Sequence, residues 1–343
     1  MAGTGNAHLR SGDVVLRVDD LIVEFPLGRH ATVSAVAGLS FDVMRGETLG
    51  IVGESGCGKS TTGRAIMQIT EPTSGSVVFE GRDLTSLSAD ELREARTKIQ
   101  MIFQDPISSL NPRRRVRDSV KDPLDIWQRG SVSERFELVD ALLEQVGIDP
   151  ARAAESRPHE FSGGQCQRIS IARALVLDPT LIICDEPVSA LDVSVQAQVL
   201  NLLEDLKERY GLTLIFIAHD LAVVKNISDR VAVMYLGKLC EVADSDDLYA
   251  RPAHPYTRVL VDSIPIPDPE LATRGTTIVG EPPSPVNPPS GCRFHPRCPN
   301  ASDLCATTEP EIRSIGQGHY VACHHPNVTP VTPVTRGTAE HGV

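Results

Sequence analysis

A glycine-rich stretch, Gly-Glu-Ser-Gly-Cys-Gly-Lys-Ser at Gly53–Ser60, fits the phosphate-binding pattern G-x-x-x-x-G-K-[ST]. The apolar run Thr48–Val52 before it predicts a buried strand, and Lys59–Ile69 after it predicts a helix that ends near Pro72. This context lets backbone N–H groups at the start of the helix point at phosphate oxygens, because the glycines carry no Cβ. Lys59 is then expected to reach the β- and γ-phosphates, and Ser60 to hold Mg²⁺. The alternative is a glycine-rich turn without a ligand, but such a turn does not account for the lysine and the hydroxyl at Lys59 and Ser60.

Length and composition exclude several classes of protein. The chain of 343 residues is long enough for more than one domain, and no apolar run approaches the roughly 18 residues that a transmembrane helix needs. Its net charge of −12 argues against general nucleic-acid binding, which requires clustered Lys and Arg. Residues 1–12 contain no apolar segment typical of a secretory signal, so we expect a cytosolic location and a disordered N-terminus.

Polar residues follow three predicted buried strands. Gln104 follows Ile99–Phe103, and His219 follows the strand Thr213–Ile217. The third strand, Leu181–Cys184, runs into Asp185-Glu186, and neighbouring strand residues point to opposite sides. Asp185 can therefore face Mg²⁺ while Glu186 faces an attacking water. Ligands of α/β sheets bind at the carboxyl ends of the strands, although each of these residues alone could also be structural.

Other segments predict the surroundings of this site. Alternating strands around Val14–Phe25 and a second β-rich stretch before Thr48 predict a small antiparallel sheet, and Phe25 is either a core residue or an exposed ring that stacks on a base. The strand signal is absent from about Pro106 to His159, which predicts an inserted helical subdomain. Ser162-Gly163-Gly164-Gln165 then opens a helix, as a second phosphate site or only as a helix cap.

The C-terminal part has a different composition. Ile264–Ser290 is crowded with proline and predicts an extended arm, and residues 327–343 show no periodic apolar pattern, so we expect disorder there. Between these segments four cysteines follow the spacing C-x5-C-x6-C-x17-C, namely Cys292, Cys298, Cys305 and Cys323. In a cytosolic protein such a cluster suggests a metal before it suggests disulfides.

The order of the motifs resembles the ATP-binding subunit of an ABC transporter. The motifs appear along the chain as Gly53–Ser60, Gln104, Phe161–Gln165, Asp185-Glu186, Ser189–Asp192 and His219. The resemblance covers about Val14 to Val242, and it departs from the usual pattern at Phe161, where leucine is more common. Ile102–Pro106, Ser108–Pro112 and the tail Gly291–Pro299 further resemble the oligopeptide and dipeptide importers.

This resemblance implies an α/β fold, a P-loop NTPase of the ABC cassette type with an antiparallel β subdomain, an inserted helical subdomain at about 106–160 and a Pro/Cys-rich C-terminal tail. The implied domains are an ATPase domain at 13–250 and a C-terminal extension at 251–326. Two cassettes, identical or paralogous, would sandwich two ATP molecules, each held between the phosphate loop of one subunit and the signature of the other. The expected partners are two transmembrane permease subunits and, indirectly, an extracytoplasmic solute-binding protein. The implied location is peripheral, at the cytoplasmic face of the membrane.

The resemblance also implies residue roles. Catalysis would fall to Glu186, which polarises the water, to His219 at the γ-phosphate, and to Gln104, which couples the site to the membrane subunits. Ser60, Gln104 and Asp185 would hold Mg²⁺, and Asp192 would communicate across the dimer. The expected ATP contacts are Phe25, Gly53, Glu54, Ser55, Gly56, Cys57, Gly58, Lys59, Ser60, Thr61, Ser162, Gly163, Gly164, Gln165 and Asp192.

Several alternatives stay open at the level of the sequence. The four tail cysteines suit a [4Fe–4S] cluster, favoured because Cys298 precedes a proline, or zinc, or no metal, with His295 and His319 as substitute ligands. The basic run Arg113–Arg117 is either a solvated face or a docking surface for a protein. The transported solute could be a peptide, nickel or another small solute. An ABC ATPase without a transport role and a degraded regulatory cassette are further possibilities.

Overall fold

The computed structural model describes residues 5–28, 31–264, 280–316 and 318–327. Two sheets and the helices around them make up this part of the chain. The strands are β1 Val14–Leu27, β2 Ala31–Met44, β3 Thr48–Val52, β4 Ser74–Phe79, β5 Arg82–Asp83, β6 Ile99–Ile102, β7 Leu181–Asp185, β8 Thr213–Ala218, β9 Arg230–Tyr235, β10 Lys238–Asp244, β11 Arg313–Gly316 and β12 His319–Val321. The helices are α1 Lys59–Ile66, α2 Ala89–Ala95, α3 Pro106–Ser109, α4 Val116–Ile126, α5 Val132–Gln145, α6 Pro150–Glu155, α7 Gly163–Leu175, α8 Val193–Tyr210, α9 Leu221–Ile227, α10 Ser245–Ala250, α11 Pro255–Asp262 and α12 Asp303–Thr307.

The larger sheet carries the phosphate loop. Its eight strands follow the order β11-β12-β10-β9-β3-β8-β7-β6, and the strands from β9 to β6 are parallel to their neighbours within that run. Strand β3 therefore lies between β9 and β8, with the predicted loop at its carboxyl end. The carboxyl ends of β3, β6, β7 and β8 meet at one edge of the sheet.

This sheet separates two apolar layers. On β8, Leu214 and Phe216 pack into the layer that holds the helical region, whereas Ile215 and Ile217 pack into the layer shared with the second sheet. All four side chains are fully buried, as the alternation of a strand with two covered faces requires. Both faces of the sheet are thus fixed by packing, which holds the carboxyl edge in place.

The second sheet is antiparallel and has the order β2-β1-β4-β5. Its long hairpin β1–β2 pairs Phe25 with Val33 near the turn. Val15, Leu16 and Val18 on β1 are buried in the layer between the two sheets. Strand β2 approaches the phosphate loop that follows β3, because a Cβ at Gly58 would lie 2.1 Å from the carbonyl oxygen of Ala35.

Between β6 and β7 the chain forms helices α3 to α7. Helix α5 begins at a capping box, in which Ser131 and Glu134 satisfy each other's backbone N–H groups. The apolar face that the sequence predicts on this helix is buried: Val139, Leu142, Leu143 and Val146 are at most 3% exposed. The described residues include no helix that is both long and apolar enough to cross a membrane.

The N-terminal segment differs from the expectation of disorder over residues 1–12. In residues 5–12, His8 is buried and hydrogen-bonds the carbonyl of Ser40, and Arg10 forms ion pairs with Asp42 and Glu47. The prediction relied on apolar periodicity, which this short segment lacks. It therefore could not detect the order that the polar contacts of His8 and Arg10 provide. Residues 1–4, most of the proline-rich arm (265–279) and residues 328–343 of the tail lie outside the described residues.

The C-terminal extension joins the larger sheet at its edge. Strand β12 pairs with β10, where Glu241 faces Val321, and β11 then pairs with β12. Glu241 is fully buried and accepts hydrogen bonds from the backbone N–H groups of Ala253 and His254. The extension is thus attached to the larger sheet by backbone pairing.

Candidate functional site

The loop Gly53–Ser60 bends where side chains would collide with its supports. Gly53 has φ +156°, and a Cβ there would lie 2.1 Å from the carbonyl oxygen of Met234. Gly58 has φ +104°, and its Cβ would lie 2.1 Å from the carbonyl oxygen of Ala35. These two glycines are therefore required by the close approach of β9 and β2 behind the loop.

Lys59 lies across the concave side of this loop. Its ammonium donates to the carbonyl oxygens of Gly53 at 2.8 Å and Glu54 at 3.0 Å, and the residue is 4% exposed. The two carbonyl partners hold the Lys59 ammonium inside the curve of the loop. The loop thus combines a fixed cation with the N–H groups at the start of α1, which is the arrangement that binds phosphate.

Ser60 and Asp185 meet at the end of the loop. The Ser60 hydroxyl donates to Asp185 Oδ1 at 2.7 Å, and Asp185 is 1% exposed. Burial raises the pKa of Asp185, and the hydrogen bond from Ser60 opposes that shift. A hydroxyl and a buried carboxylate are hard oxygen donors, so the residues present fit Mg²⁺.

Glu186 takes different partners from its neighbour. Gln104 Nε2 donates to Glu186 Oε2 at 3.0 Å, and His219 Nδ1 lies 3.3 Å from the same oxygen. Glu186 has φ +48°, in the left-handed region, and its N–H donates to the carbonyl of Ile217. Adjacent acids at the end of β7 therefore do face different groups, as the sequence predicts for Asp185 and Glu186.

An open cleft of about 460 Å³ brings these groups together. Residues from the loop and from three strand ends share it. The described residues that line it are Val33, Ala35, Ser55, Gly56, Gly58, Lys59, Ser60, Thr61, Gln104, Glu186, His219 and Pro285.

Three lining residues were missed by the sequence interpretation: Val33, Ala35 and Pro285. Val33 and Ala35 lie on β2, and the carbonyl of Pro285 accepts a hydrogen bond of 3.3 Å from the N–H of Ser34. Their contribution is apolar surface and backbone, for which no motif exists. Phe25, the partner of Val33 in β1, is 41% exposed, so its ring is available beside this end of the cleft.

The Ser-Gly-Gly-Gln segment lies apart from this cleft. Ser162 caps helix α7 and forms a capping box with Gln165, and Ser162 is exposed. None of residues 162–165 is among the described residues that line the cleft, and neither is Asp192, which caps α8. The helix cap that the sequence left as an alternative is therefore present, and the segment contributes nothing to the cleft of its own chain.

The four tail cysteines line one small cavity. Cys292, Cys298, Cys305 and Cys323 share it with His295, whose Nδ1 lies 2.9 Å from the carbonyl oxygen of Cys292. All four cysteines are free, and within the described ranges no group of three or more His, Cys, Asp or Glu side chains is arranged to hold a metal ion. Burial raises the pKa of Cys292 to about 11 and that of Cys323 to about 12.

The structure corrects one candidate ligand of this cavity. His319 does not line it; His319 is buried on β12, and its Nε2 lies 2.6 Å from Glu241 Oε1. His324 and His325 do line the cavity and were missed, because they lie just beyond the last cysteine of the spacing. His319 therefore pairs with Glu241 on the neighbouring strand β10 and is not a ligand candidate at the cysteine cavity.

The basic run is partly engaged within the chain. Arg114 pairs with Asp122 at 2.7 Å, Arg117 pairs with Asp140, and Arg115 donates to the carbonyl of Ala154 at 3.1 Å. These contacts attach the run to helices α4, α5 and α6. The docking interpretation of this run therefore stays a prediction.

Comparison with known proteins identifies two family regions in the chain. Residues 36–189 match the family described as ABC transporter, and residues 240–305 match the family described as oligopeptide/dipeptide transporter, C-terminal region. The first region includes the phosphate loop, Gln104, the Ser-Gly-Gly-Gln segment and the Asp185-Glu186 pair. The second includes the first three tail cysteines.

Curated relatives are similar over most of the chain. A putative peptide import ATP-binding protein of Brucella ovis is 53% identical over 300 residues, which cover 88% of this chain and 94% of the relative. The oligopeptide transport ATP-binding protein AppF of Bacillus subtilis is 50% identical over 321 residues, covering 91% and 97%.

Solved structures are similar over the cassette. The dimeric ATP-binding cassette MJ0796 bound to ADP and Pi aligns with a TM-score of 0.62 and 30% identity, covering 67% of this chain and 98% of that one. The protein cbiO1 of Clostridium perfringens, described as part of the ABC transporter complex cbiONQ, aligns with the same TM-score and 28% identity, covering 69% of this chain and 91% of that one.

Proposed function

The chain belongs to the ABC transporter family as an ATP-binding subunit of the oligopeptide/dipeptide branch, and from this we propose that it hydrolyses ATP to drive peptide import. The cleft at the carboxyl edge of the larger sheet carries the proposal. There the phosphate loop with the buried Lys59, Ser60 and the Glu186 carboxylate line one space, and Asp185 accepts a hydrogen bond from Ser60 just behind it. Each group is of the type that phosphoryl transfer needs.

The chain's own residues divide the work of hydrolysis. Lys59, Thr61 and the N–H groups of Ser55, Gly56, Cys57 and Gly58 bind the phosphates, and Phe25 stacks on adenine. Ser60, Gln104 and Asp185 hold Mg²⁺, which neutralises charge on the phosphate oxygens when it is bound. Glu186 orients the attacking water for in-line attack and accepts its proton, and His219 contacts the γ-phosphate. The shared contact of Gln104 and His219 with one Glu186 oxygen supports these linked roles.

We propose that a second cassette completes the site. Ser162, Gly163, Gly164 and Gln165 would contact the ATP held by the partner, and Asp192 would contact the partner near its phosphate loop. Their position outside the cleft of the same chain supports this arrangement. The chain would lie at the cytoplasmic face of the membrane, where two transmembrane permease subunits would receive its motion through Gln104. A solute-binding protein would deliver the cargo.

The water-orienting role has a direct test. Glu186→Gln keeps the shape of the side chain but removes its basicity, so we expect ATP turnover to fall by about a hundredfold or more while ATP still binds. The variant should accumulate as a closed dimer in MgATP, measured by size-exclusion chromatography. Glu204→Gln, an exposed carboxylate on α8, is the matched control and should hydrolyse at the rate of the unmodified protein. Near-normal turnover by Glu186→Gln contradicts the assignment.

The solute has its own test. The chain is co-purified with its permease subunits and binding protein, reconstituted in vesicles, and its ATPase rate is measured with oligopeptides, dipeptides or Ni²⁺. We expect stimulation by peptides, in line with the names of the relatives. Stimulation by Ni²⁺ alone would instead indicate a nickel importer. If the chain does not associate with any permease, an ABC ATPase without a transport role is favoured.

For the tail we propose that the four cysteines hold a [4Fe–4S] cluster, with Zn²⁺ as the alternative. Four soft thiol donors around one small cavity support a soft metal, since thiolates are the preferred ligands of both groups. An anaerobic preparation should be brown with broad visible absorption and contain about four iron atoms per chain. A colourless protein with stoichiometric zinc supports the alternative, and a metal-free protein of unchanged stability contradicts both.

A further inference from the structure

We propose that Arg297 of the C-terminal extension is a positioning residue for ATP, because it holds Glu54 and through it the start of the phosphate loop. The inference rests on the proposed ATP site and adds to it a residue about 240 positions away along the chain, outside the cassette motifs.

The contact itself is a two-pronged ion pair. Arg297 Nη1 donates to Glu54 Oε2 at 2.8 Å, and Arg297 Nη2 donates to Glu54 Oε1 at 3.1 Å. The Arg297 side chain is 7% exposed and that of Glu54 is 25% exposed. Parallel donors of this kind fix a carboxylate in orientation as well as in distance. Burial disfavours the charge on Arg297, but the hydrogen bonds that it donates to Glu54 and Tyr235 hold its pKa above the usual value.

The resemblance counts Glu54 among the expected ATP contacts, but its side chain contacts Arg297 instead of the cleft. Glu54 occupies one of the variable positions of the loop motif, and it is not among the described residues that line the nucleotide cleft. Its side chain therefore points to the extension while its backbone belongs to the loop. The Glu54 carbonyl accepts from Lys59 Nζ at 3.0 Å, so the orientation of Glu54 bears on the lysine that binds phosphate.

The rest of the extension supports the same residue of the loop. The N–H of Glu54 donates to the hydroxyl of Tyr256 on α11 at 2.8 Å. Tyr256 packs against Tyr235 and Phe294, with ring centroids 4.8 and 5.3 Å apart, and Phe294 is 1% exposed. Arg297 also donates to the hydroxyl of Tyr235 at 3.1 Å. The backbone of Glu54 is thus held by Tyr256 of this buried aromatic cluster, and its side chain is held by Arg297, which donates to Tyr235 of the same cluster.

The energetic argument favours an effect on nucleotide affinity. A loop held in its binding shape before the ligand arrives avoids the entropy cost of ordering at the moment of binding. Once ATP is bound, its own contacts order the loop, so the rate of the chemical step depends less on Arg297. Loss of Arg297 should therefore raise Kd and KM and leave kcat little changed.

The experiment measures the binding of Mg·ADP, which is not hydrolysed, to the full chain by titration calorimetry. We expect Arg297→Gln and Glu54→Gln each to weaken binding by about tenfold, the range of one charge-assisted pair. The double variant should bind no more weakly than either single variant, because both changes break the same pair. Arg297→Lys keeps the charge but loses the two-pronged geometry and should lie between the unmodified protein and Arg297→Gln.

The matched control is Arg230, at the opposite end of strand β9 from Tyr235. Arg230 is equally buried and pairs with Glu47 at 3.1 Å. Arg230→Gln should lower the unfolding midpoint without changing the Kd for ADP, and in the assembled transporter Arg297→Gln should raise KM for ATP rather than lower kcat. Unchanged ADP affinity in Arg297→Gln, additive losses in the double variant, or equal weakening by Arg230→Gln would overturn the inference. Failure of the unmodified chain to bind ADP at all would instead overturn the proposed function.

Discussion

At the scale of single residues, Asp185 shows that the site is built at a cost to stability. Its carboxylate is buried and its pKa is raised by that burial, so the protein without Mg²⁺ carries a charge that water would solvate better. For an acid whose pKa is raised on folding, this penalty is present at neutral pH and is relieved as the pH falls through the raised pKa. The same loss of folding stability in exchange for function is expected wherever a buried carboxylate binds a cation.

Asp185→Asn tests this balance. In EDTA at pH 7 we expect the variant to unfold at a midpoint a few degrees higher than the unmodified protein, because the buried charge is gone. Its ATPase activity should be lost, and MgATP should stabilise it much less than it stabilises the unmodified protein. Thermal unfolding with and without MgATP measures both effects. A lower midpoint in EDTA would mean that the bond from Ser60 outweighs the cost of burial.

The residues of the cleft divide into those with a motif and those without. Lys59, Ser60, Asp185 and Glu186 could be predicted, because phosphoryl transfer restricts each position to one or two residue types. Val33 and Pro285 line the same cleft through apolar surface and a backbone carbonyl, which many residue types supply equally well. Arg297 escaped for another reason, since its partner Glu54 is far away along the chain and occupies a position that the motif leaves variable.

At the scale of elements, the start of α7 is fixed by close packing on α8. A Cβ at Gly164 would lie 2.4 Å from Cγ1 of Val195, a stiff β-branched side chain at the beginning of α8. Gly164→Ala should therefore lower the free energy of unfolding by about 1–3 kcal/mol, measured by urea denaturation. Val195→Ala should recover much of that loss in the double variant.

Gly163→Ala is the control for this pair, because its Cβ would lie at an ordinary 3.7 Å from Leu191. We expect it to change stability little. Equal destabilisation by the two alanine variants would point to the helix cap rather than to packing on Val195. The sequence predicted that a helix begins here from Ser162 and Gln165, but the contact with α8 is a tertiary one that no local pattern contains.

At the scale of the whole molecule, the phosphate loop and the Ser-Gly-Gly-Gln segment lie on different surfaces of one chain. The order of the motifs along the sequence allowed both segments to be predicted. Their separation along the chain, however, does not show whether they belong to one site. The fold of the cassette followed from strand patterns that are buried on both faces. Strands β11 and β12 could not be predicted in this way, because each has only three or four residues and β11, at the edge of the sheet, is largely exposed.

Mixed dimers distinguish a site shared between chains from a site within one chain. Differently tagged copies carrying Lys59→Ala and Ser162→Arg are co-expressed, and the mixed species is isolated by tandem purification. If each site joins the loop of one chain to the signature of the other, this pair keeps one intact site and should recover much of the ATPase activity that each variant lacks as a homodimer. A dimer of the unmodified chain with the double variant has no intact shared site and should be inactive. If the partner of this cassette is a paralogue, the substitution equivalent to Ser162→Arg is made in that paralogue. Activity in the second pair, without activity in the first, would show that each chain contains a complete site.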